Sequence, residues 1–152
     1  MDLDDNYSLT VESVRKSITD KTKVISIAHV TNVYGDVRDI ESIIKFAHEK
    51  NILVVIDGAQ SVPHMNIDVQ FLDIDFLAFS AHKMCGPTGV GILYGKYELL
   101  KKMKPLLYGG GMNKDFNSNK LELLDIPYRF EAGTINIADV IGFSEAIKYL
   151  NN

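Results

Sequence analysis

Two ionisable residues stand where their chemistry would be unusual: Asp57 closes the apolar run ILVVID, and Lys83 follows FLAFSAH. A carboxylate ending an apolar strand is costly to bury without a partner. It either caps the turn DGAQ that follows or serves as a fixed anion for a cationic group of a ligand. A lysine in such a place is most often a solvent-facing loop residue. In a partly desolvated pocket it instead loses its proton more easily and can form a Schiff base with an aldehyde. An Asp and a Lys at the ends of two parallel strands together suit pyridoxal 5'-phosphate (PLP). The carboxylate would keep the pyridine nitrogen protonated, making the ring an electron sink, while the amine holds the aldehyde carbon. Ser80 and His82 can donate to a phosphate dianion beside the lysine, and Gln60 to the phenolate oxygen of the ring.

Other candidate motifs read as structure. GPTGVG (86–91) is neither a Walker A sequence nor GxGxxG, and it precedes a strand rather than a helix, so it reads as turn chemistry. Cys85, with no evident activating base, reads as a small buried hydrophobe. His48 and His64 lack metal-ligand spacing, and no metal site is expected.

These residues need elements to position them. Residues 9–18 read as a helix capped by Thr10, with Val11, Val14 and Ile18 on one face. The β-branched run VISIAH (24–29) suits a strand. Asp39 can cap a second helix, in which Ile40, Ile43, Ile44 and Ala47 follow the i, i+3, i+4, i+7 pattern and which ends near Asn51. ILVVID (52–57) is apolar at almost every position, as in a strand covered on both faces of a parallel sheet. DFLAFS (75–80) is a third strand, and GVGILYG (89–95) a fourth. The fourth is reached through so short a loop that it is expected to run antiparallel to its predecessor. A helix at about 97–104 follows, then a Gly-, Asn- and Lys-rich stretch (106–129) that reads as a long, partly mobile loop. The last helix, 139–150, is expected to bury Val140, Phe143, Ile147 and Leu150. Ligands of open α/β sheets bind outside the carboxyl ends of the strands. That rule gathers His29 with Asn32, Asp57 with Gln60, and Ser80 to Lys83 along one edge.

The whole is 152 residues, the size of one domain, with 46% hydrophobic residues and a net charge of −4. Acids and bases are interspersed, without the basic stripe that a nucleic acid demands. No apolar run approaches the roughly 20 residues that span a bilayer, and the start MDLDDNYSL does not read as a signal peptide. One cysteine excludes an internal disulfide framework. A cytoplasmic protein with no membrane or nucleic-acid partner is expected.

The segment SAHKMCGPTGVGILYG (80–95) resembles the PLP-lysine segment of class V aminotransferase-fold enzymes, especially SufS-like cysteine desulfurases and selenocysteine lyases. HVTNVYG (29–35), VVIDGAQSVPH (54–64), DVQFLDIDF (68–76) and RFEAGTIN (129–136) match further family blocks in order, so the resemblance covers nearly the whole chain. It implies the large domain of the fold type I PLP-dependent transferases, here partial: three α/β/α layers around a mostly parallel sheet with one antiparallel strand. It implies Lys83 as the cofactor lysine and proton shuttle, Asp57 as the pyridinium partner, Gln60 at the phenolic oxygen, and Ser80 and His82 at the phosphate. Asn32 is similar to an asparagine that helps fix the substrate carboxylate. Gly133 and Thr134 resemble the segment reaching the phosphate of the other subunit, which implies a homodimer. Ile135 stands where the family usually has proline.

The family's chain is longer. Residues 1–152 are accordingly expected to form a single domain, the central part of the PLP-binding large domain, with the N-terminal segment and the C-terminal small domain absent. Cys85 does not occupy the place of the family's nucleophile. The parent activity implied is conversion of L-cysteine to L-alanine, with sulfur passed to an enzyme persulfide and then to a possible acceptor protein. Selenocysteine lyase or another class V transaminase or lyase is the alternative. A folded, non-catalytic fragment that binds no cofactor is a third reading, and the chain alone is expected to be nearly inactive.

Overall fold

The computed structural model describes residues 1, 3–4, 7–117 and 120–151. Four strands form one sheet in the order β1 (Val24–Ala28), β2 (Leu53–Asp57), β3 (Phe76–Ser80) and β4 (Gly91–Gly95). β1, β2 and β3 run parallel, and β4 is antiparallel to β3. The class is therefore α/β with a mostly parallel sheet and one antiparallel strand, as expected.

Helix α1 (Val11–Ser17) starts at Thr10, whose hydroxyl accepts from Ser13 N at 3.2 Å. Helix α2 (Ile40–Glu49) starts at Asp39, whose Oδ1 accepts from Ser42 N at 3.1 Å. Each cap satisfies one backbone donor that the first helical turn leaves open. Ile40, Ile43, Ile44 and Ala47 are all buried, so the apolar stripe of α2 is its packing face. They meet Ile25, Ile27, Val54, Ile56 and Leu77, which alternation and register put on a single face of the sheet.

Helix α4 (Ile137–Leu150) reaches the same side: its Phe143 and Ala146 pack with Ala81, Met84 and Phe79. Of the expected stripe only Phe143 is buried; Val140, Ile147 and Leu150 are each about two-fifths exposed. The helix also starts two residues before the expected Asp139, because the Asn136 side chain accepts from Asp139 N and caps it. The opposite face of the sheet remains open in places, with Val24 52% and Leu93 56% exposed.

Two further expectations need correction. Helix α3 (Tyr97–Leu100) stops short of residue 104, in keeping with Pro105, which disfavours helical backbone at the residue before it. The stretch 106–129 is not one loop. It contains the antiparallel pair β5 (Asn113–Asn117) and β6 (Lys120–Leu123), then a short 3-10 turn at Tyr128–Phe130.

At the amino edge of the sheet a polar cluster ties four segments. Asp75 is only 2% exposed. Its Oδ2 accepts from Val54 N at 2.8 Å and faces His48 Nε2 at 2.8 Å, while Oδ1 accepts from Lys96 Nζ at 2.8 Å. Asp73 meets Lys96 Nζ at 2.6 Å and His48 Nδ1 at 3.0 Å. Burial works against ionisation of Asp75, but the bonds from Lys96, His48 and Val54 outweigh it and hold the carboxyl below its ordinary range. The hydrogen bond from Lys96 holds Asp73 down as well. Burial opposes the charge of Lys96, and its bonds to Asp73 and Asp75 reverse that effect and raise it.

A carboxyl depressed in the folded state stabilises above the ordinary carboxylate range, about pH 4, and that stabilisation is lost as pH falls through the folded value. The Asp75→Asn variant is therefore expected to lose about 3 kcal/mol at neutral pH. Urea midpoints against pH should also fall less steeply in acid for the variant than for the parent chain. Equal midpoints at pH 7 would show that the cluster does not stabilise the fold.

Candidate functional site

The register of the parallel strands sets the site. Ala28 pairs with Asp57, and Asp57 with Ala78, so the three share one face at the carboxyl edge. Two alanines flanking the carboxylate leave the surface beside it low. Asp57 Oδ1 accepts from Ala59 N at 2.9 Å, the turn-capping bond that DGAQ suggested. Its Oδ2 has no partner among the described residues. The two readings of Asp57 are therefore compatible, one oxygen serving each.

Ser80 lies two residues beyond Ala78 and faces the same way. The chain then turns through Ala81–Lys83, a 3-10 turn whose shape comes from its buried members. Ala81 is fully buried and Met84 nearly so, both packed against α4. Ala81 N donates to Val90 O at 3.0 Å, and Met84 N and Gly86 N donate to Ala81 O at 2.8 and 3.0 Å. With both ends of the turn anchored, His82 and Lys83 are displayed outward, and both are exposed. The desolvated surroundings imagined for Lys83 are not supplied by the described residues of this chain: the edge is open.

Asn32 sits on the excursion between Val30 and Val37, which pair as an antiparallel bridge. Thr31 and Asp36 brace that excursion through Thr31 N to Asp36 O at 3.1 Å and Asp36 N to Thr31 Oγ1 at 3.0 Å. Gln60 Nε2 donates to Asn32 Oδ1, so the loops following β1 and β2 meet at these two amides. Asn32, Asp57, Gln60, Ser80, His82 and Lys83 thus gather at one edge.

One residue expected at this edge, His29, falls elsewhere. His29 is 6% exposed and lies on the helix-facing side with α2, because its neighbour Ala28 takes the Asp57 side. Burial pushes its imidazole below the ordinary value. Gly133 and Thr134 follow the Tyr128–Phe130 turn. Gly133 takes a φ of +89°, Thr134 is exposed, and no described hydrogen bond joins them to the strand-end cluster.

The sequence reading missed what Gly86 does. In sequence it reads as part of a turn, yet its φ is not positive; what matters is space. A Cβ there would lie 2.9 Å from Ala81 O and 2.9 Å from Phe143 Cδ2. Gly86 is what lets the backbone close onto Ala81 beneath Lys83. The only prior signal was its place three residues after the lysine.

Residues 1–152 match the family model described as aminotransferase class-V. A cysteine desulfurase of Haloferax volcanii is 45% identical over 150 residues, covering 99% of this chain and 35% of its own. The crystal structure of the cysteine desulfurase CsdA from Escherichia coli superposes with a TM-score of 0.90 at 43% identity, over 93% of this chain and 36% of that one. A structure described as SspA in complex with cysteine gives 0.77 at 31% identity, over 93% and 37%. The chain spans about a third of the length of these relatives.

Replacing Gly86 by Ala should destabilise the chain by about 1–3 kcal/mol. Amide exchange at Met84 and Gly86, the two donors to Ala81 O, should quicken more than exchange in α1 or β1. Uniform quickening, or none, would remove Gly86 as the support of the lysine turn.

Proposed function

The chain belongs to the aminotransferase class-V family, and on that footing we propose that it is the central, lysine-bearing part of the large domain of a PLP-dependent cysteine desulfurase. The observation that carries the reading is the shared carboxyl edge. The Asp57 carboxylate lies between two alanines on the same face as Ser80, and the anchored turn beyond Ser80 displays Lys83.

The residues present fit the cofactor. A free carboxylate oxygen, a primary amide, a hydroxyl, an imidazole and an amine are the partners that a pyridine nitrogen, a phenolic oxygen, a phosphate and an aldehyde require. The low surface over Ala28 and Ala78 suits a flat ring. When bound, PLP supplies an electron sink for the carbanion formed on an amino-acid substrate. Asp57 Oδ2 would keep the proton on the ring nitrogen, and Gln60 would donate to the phenolic oxygen. Ser80 and His82 donate to the phosphate. Lys83 Nζ would hold the aldehyde carbon of the cofactor and would be the base that takes the proton from the substrate Cα. Asn32 fixes the substrate carboxylate.

The substrate is cysteine, and the product alanine. The sulfur passes to a cysteine thiolate of the enzyme as a persulfide, then to an acceptor protein. Cys85 is exposed rather than the small buried hydrophobe its surroundings suggested, and it does not occupy the place of the family's nucleophile. Gly133 and Thr134 reach the phosphate held by a second copy in a homodimer. A cytoplasmic setting is part of the same reading. Among the described residues no helix is long and apolar enough to cross a membrane.

Loading the purified chain with PLP, reducing with borohydride and mapping the peptides should place a phosphopyridoxyl group on Lys83, with visible absorbance lost in Lys83→Ala. A label spread over other lysines, or an unchanged spectrum in the variant, would refute the assignment. Alanine release from cysteine by the chain alone should fall far below that of a full-length relative, because the Lys83 edge is open to solvent. Turnover equal to the relative's would overturn this expectation.

A further inference from the structure

Two backbone segments distant in sequence touch without side chains between them. The Gly109–Gly111 run approaches the loop that holds Gly133 and Thr134, and Gly133 N donates to Gly110 O at 2.9 Å. A Cβ placed on Gly109 would lie 2.8 Å from Gly133 N, 3.0 Å from Ala132 C and 3.3 Å from Ala132 Cα. All three are backbone atoms, which cannot swing aside as a side-chain tip can. The φ of Gly109 is not positive, so its own backbone suits any residue. What excludes a side chain is the neighbouring loop. Gly110, next to it, has nothing within 4 Å of an added Cβ and no positive φ either.

The near side of this contact is anchored. Gly109 N donates to the Met112 sulfur at 3.2 Å, Met112 is fully buried, and its carbonyl accepts from Leu124 N at 2.7 Å. Residues 109–112 are thus fixed from below, while Thr134 on the far side is exposed. If one side must move, it is the loop at 132–134.

We propose that Gly109 is a positioning residue: its bare backbone is the seat that sets the height of the 132–134 loop, and through it the reach of Thr134 toward a phosphate group. The phosphate part rests on the reading of Gly133 and Thr134 given above. The seat itself does not.

Two measurements separate these claims. Amide exchange tests the seat without any cofactor. Gly133 should exchange faster in Gly109→Ala than in the parent chain or in Gly110→Ala, while α2 and β2 stay unchanged. Equal exchange at Gly133 in the two alanine variants overturns the proposal.

The second measurement compares, at concentrations where sedimentation shows the chain dimeric, its affinity for PLP and for pyridoxal, which lacks the phosphate. Gly109→Ala should lower the preference for PLP about tenfold, the loss of one hydrogen bond to a charged group, with pyridoxal binding unchanged. Gly110→Ala should keep the preference. Thr134→Ala is the internal control. If it lowers the preference and Gly109→Ala does not, the positioning role fails. If Thr134→Ala keeps the full preference, or the parent chain has none, the phosphate reading fails, and exchange at Gly133 still decides the seat.

Discussion

Asp75 is the constraint on which the rest of this structure leans. It is almost wholly buried, and a buried carboxylate is tolerated only where its partners are arranged around it. Those partners are a backbone donor of β2, the end of α2 through His48, and the lysine that follows β4. One side chain therefore determines where three neighbouring elements sit relative to the entrance of β3. Since β3 begins at the next residue, fixing Asp75 against Val54 also fixes how far β2 and β3 are offset. That offset is what places Asp57 beside Ala78 at the other edge. The polar cluster lies at the amino edge and the proposed chemistry at the carboxyl edge, and five-residue strands transmit the alignment between them.

The lysine turn follows a related logic with apolar anchors. Ala81 and Met84 are sunk against α4, and the residues between them have nowhere to go but outward. Such a turn fixes the root of the lysine side chain while leaving its tip free, which suits the role proposed for Lys83 of holding a cofactor and exchanging a proton. It also makes α4 a remote support of the edge. The face of α4 that is buried does this, while much of its remaining apolar surface stays exposed.

Much of this was legible beforehand, for identifiable reasons. β1 to β4 announced themselves as short β-branched or apolar runs between turn residues, and Asp57 and Ser80, the polar residues that end β2 and β3, lie at the edge. The caps at Thr10 and Asp39 were readable because a short oxygen-bearing side chain precedes each amphipathic stripe. The failures are as specific. β5 opens with Asn, Lys and Asp, all exposed, so its sequence carries no apolar alternation to betray it. His29 stands one residue past the last position of β1. Whether it faces the helices or the ligand edge depends on the register with β2, which composition does not reveal. In α4, the residues Val140 to Leu150 repeat at helical spacing, but an apolar helix contains several such stripes, and Phe143 with Ala146 belongs to another. Gly86 and Gly109 were hidden because a glycine needed for close approach looks, in sequence, like any turn glycine.

The contact between Asn32 and Gln60 has a consequence for polarity. An amide carries one acceptor and one donor group, and in isolation either can turn outward. Here Asn32 directs its oxygen to Gln60, so the group it turns toward a visitor is its NH2, and Gln60 retains a second N–H beside it. The pair thereby sets outward N–H donors on the lip of the strand edge, beside the side-chain oxygen of Gln60. Under the proposed function that lip would offer N–H groups to a substrate carboxylate, with acceptors for the ammonium group in the Gln60 oxygen and Asp57 Oδ2 of the same edge.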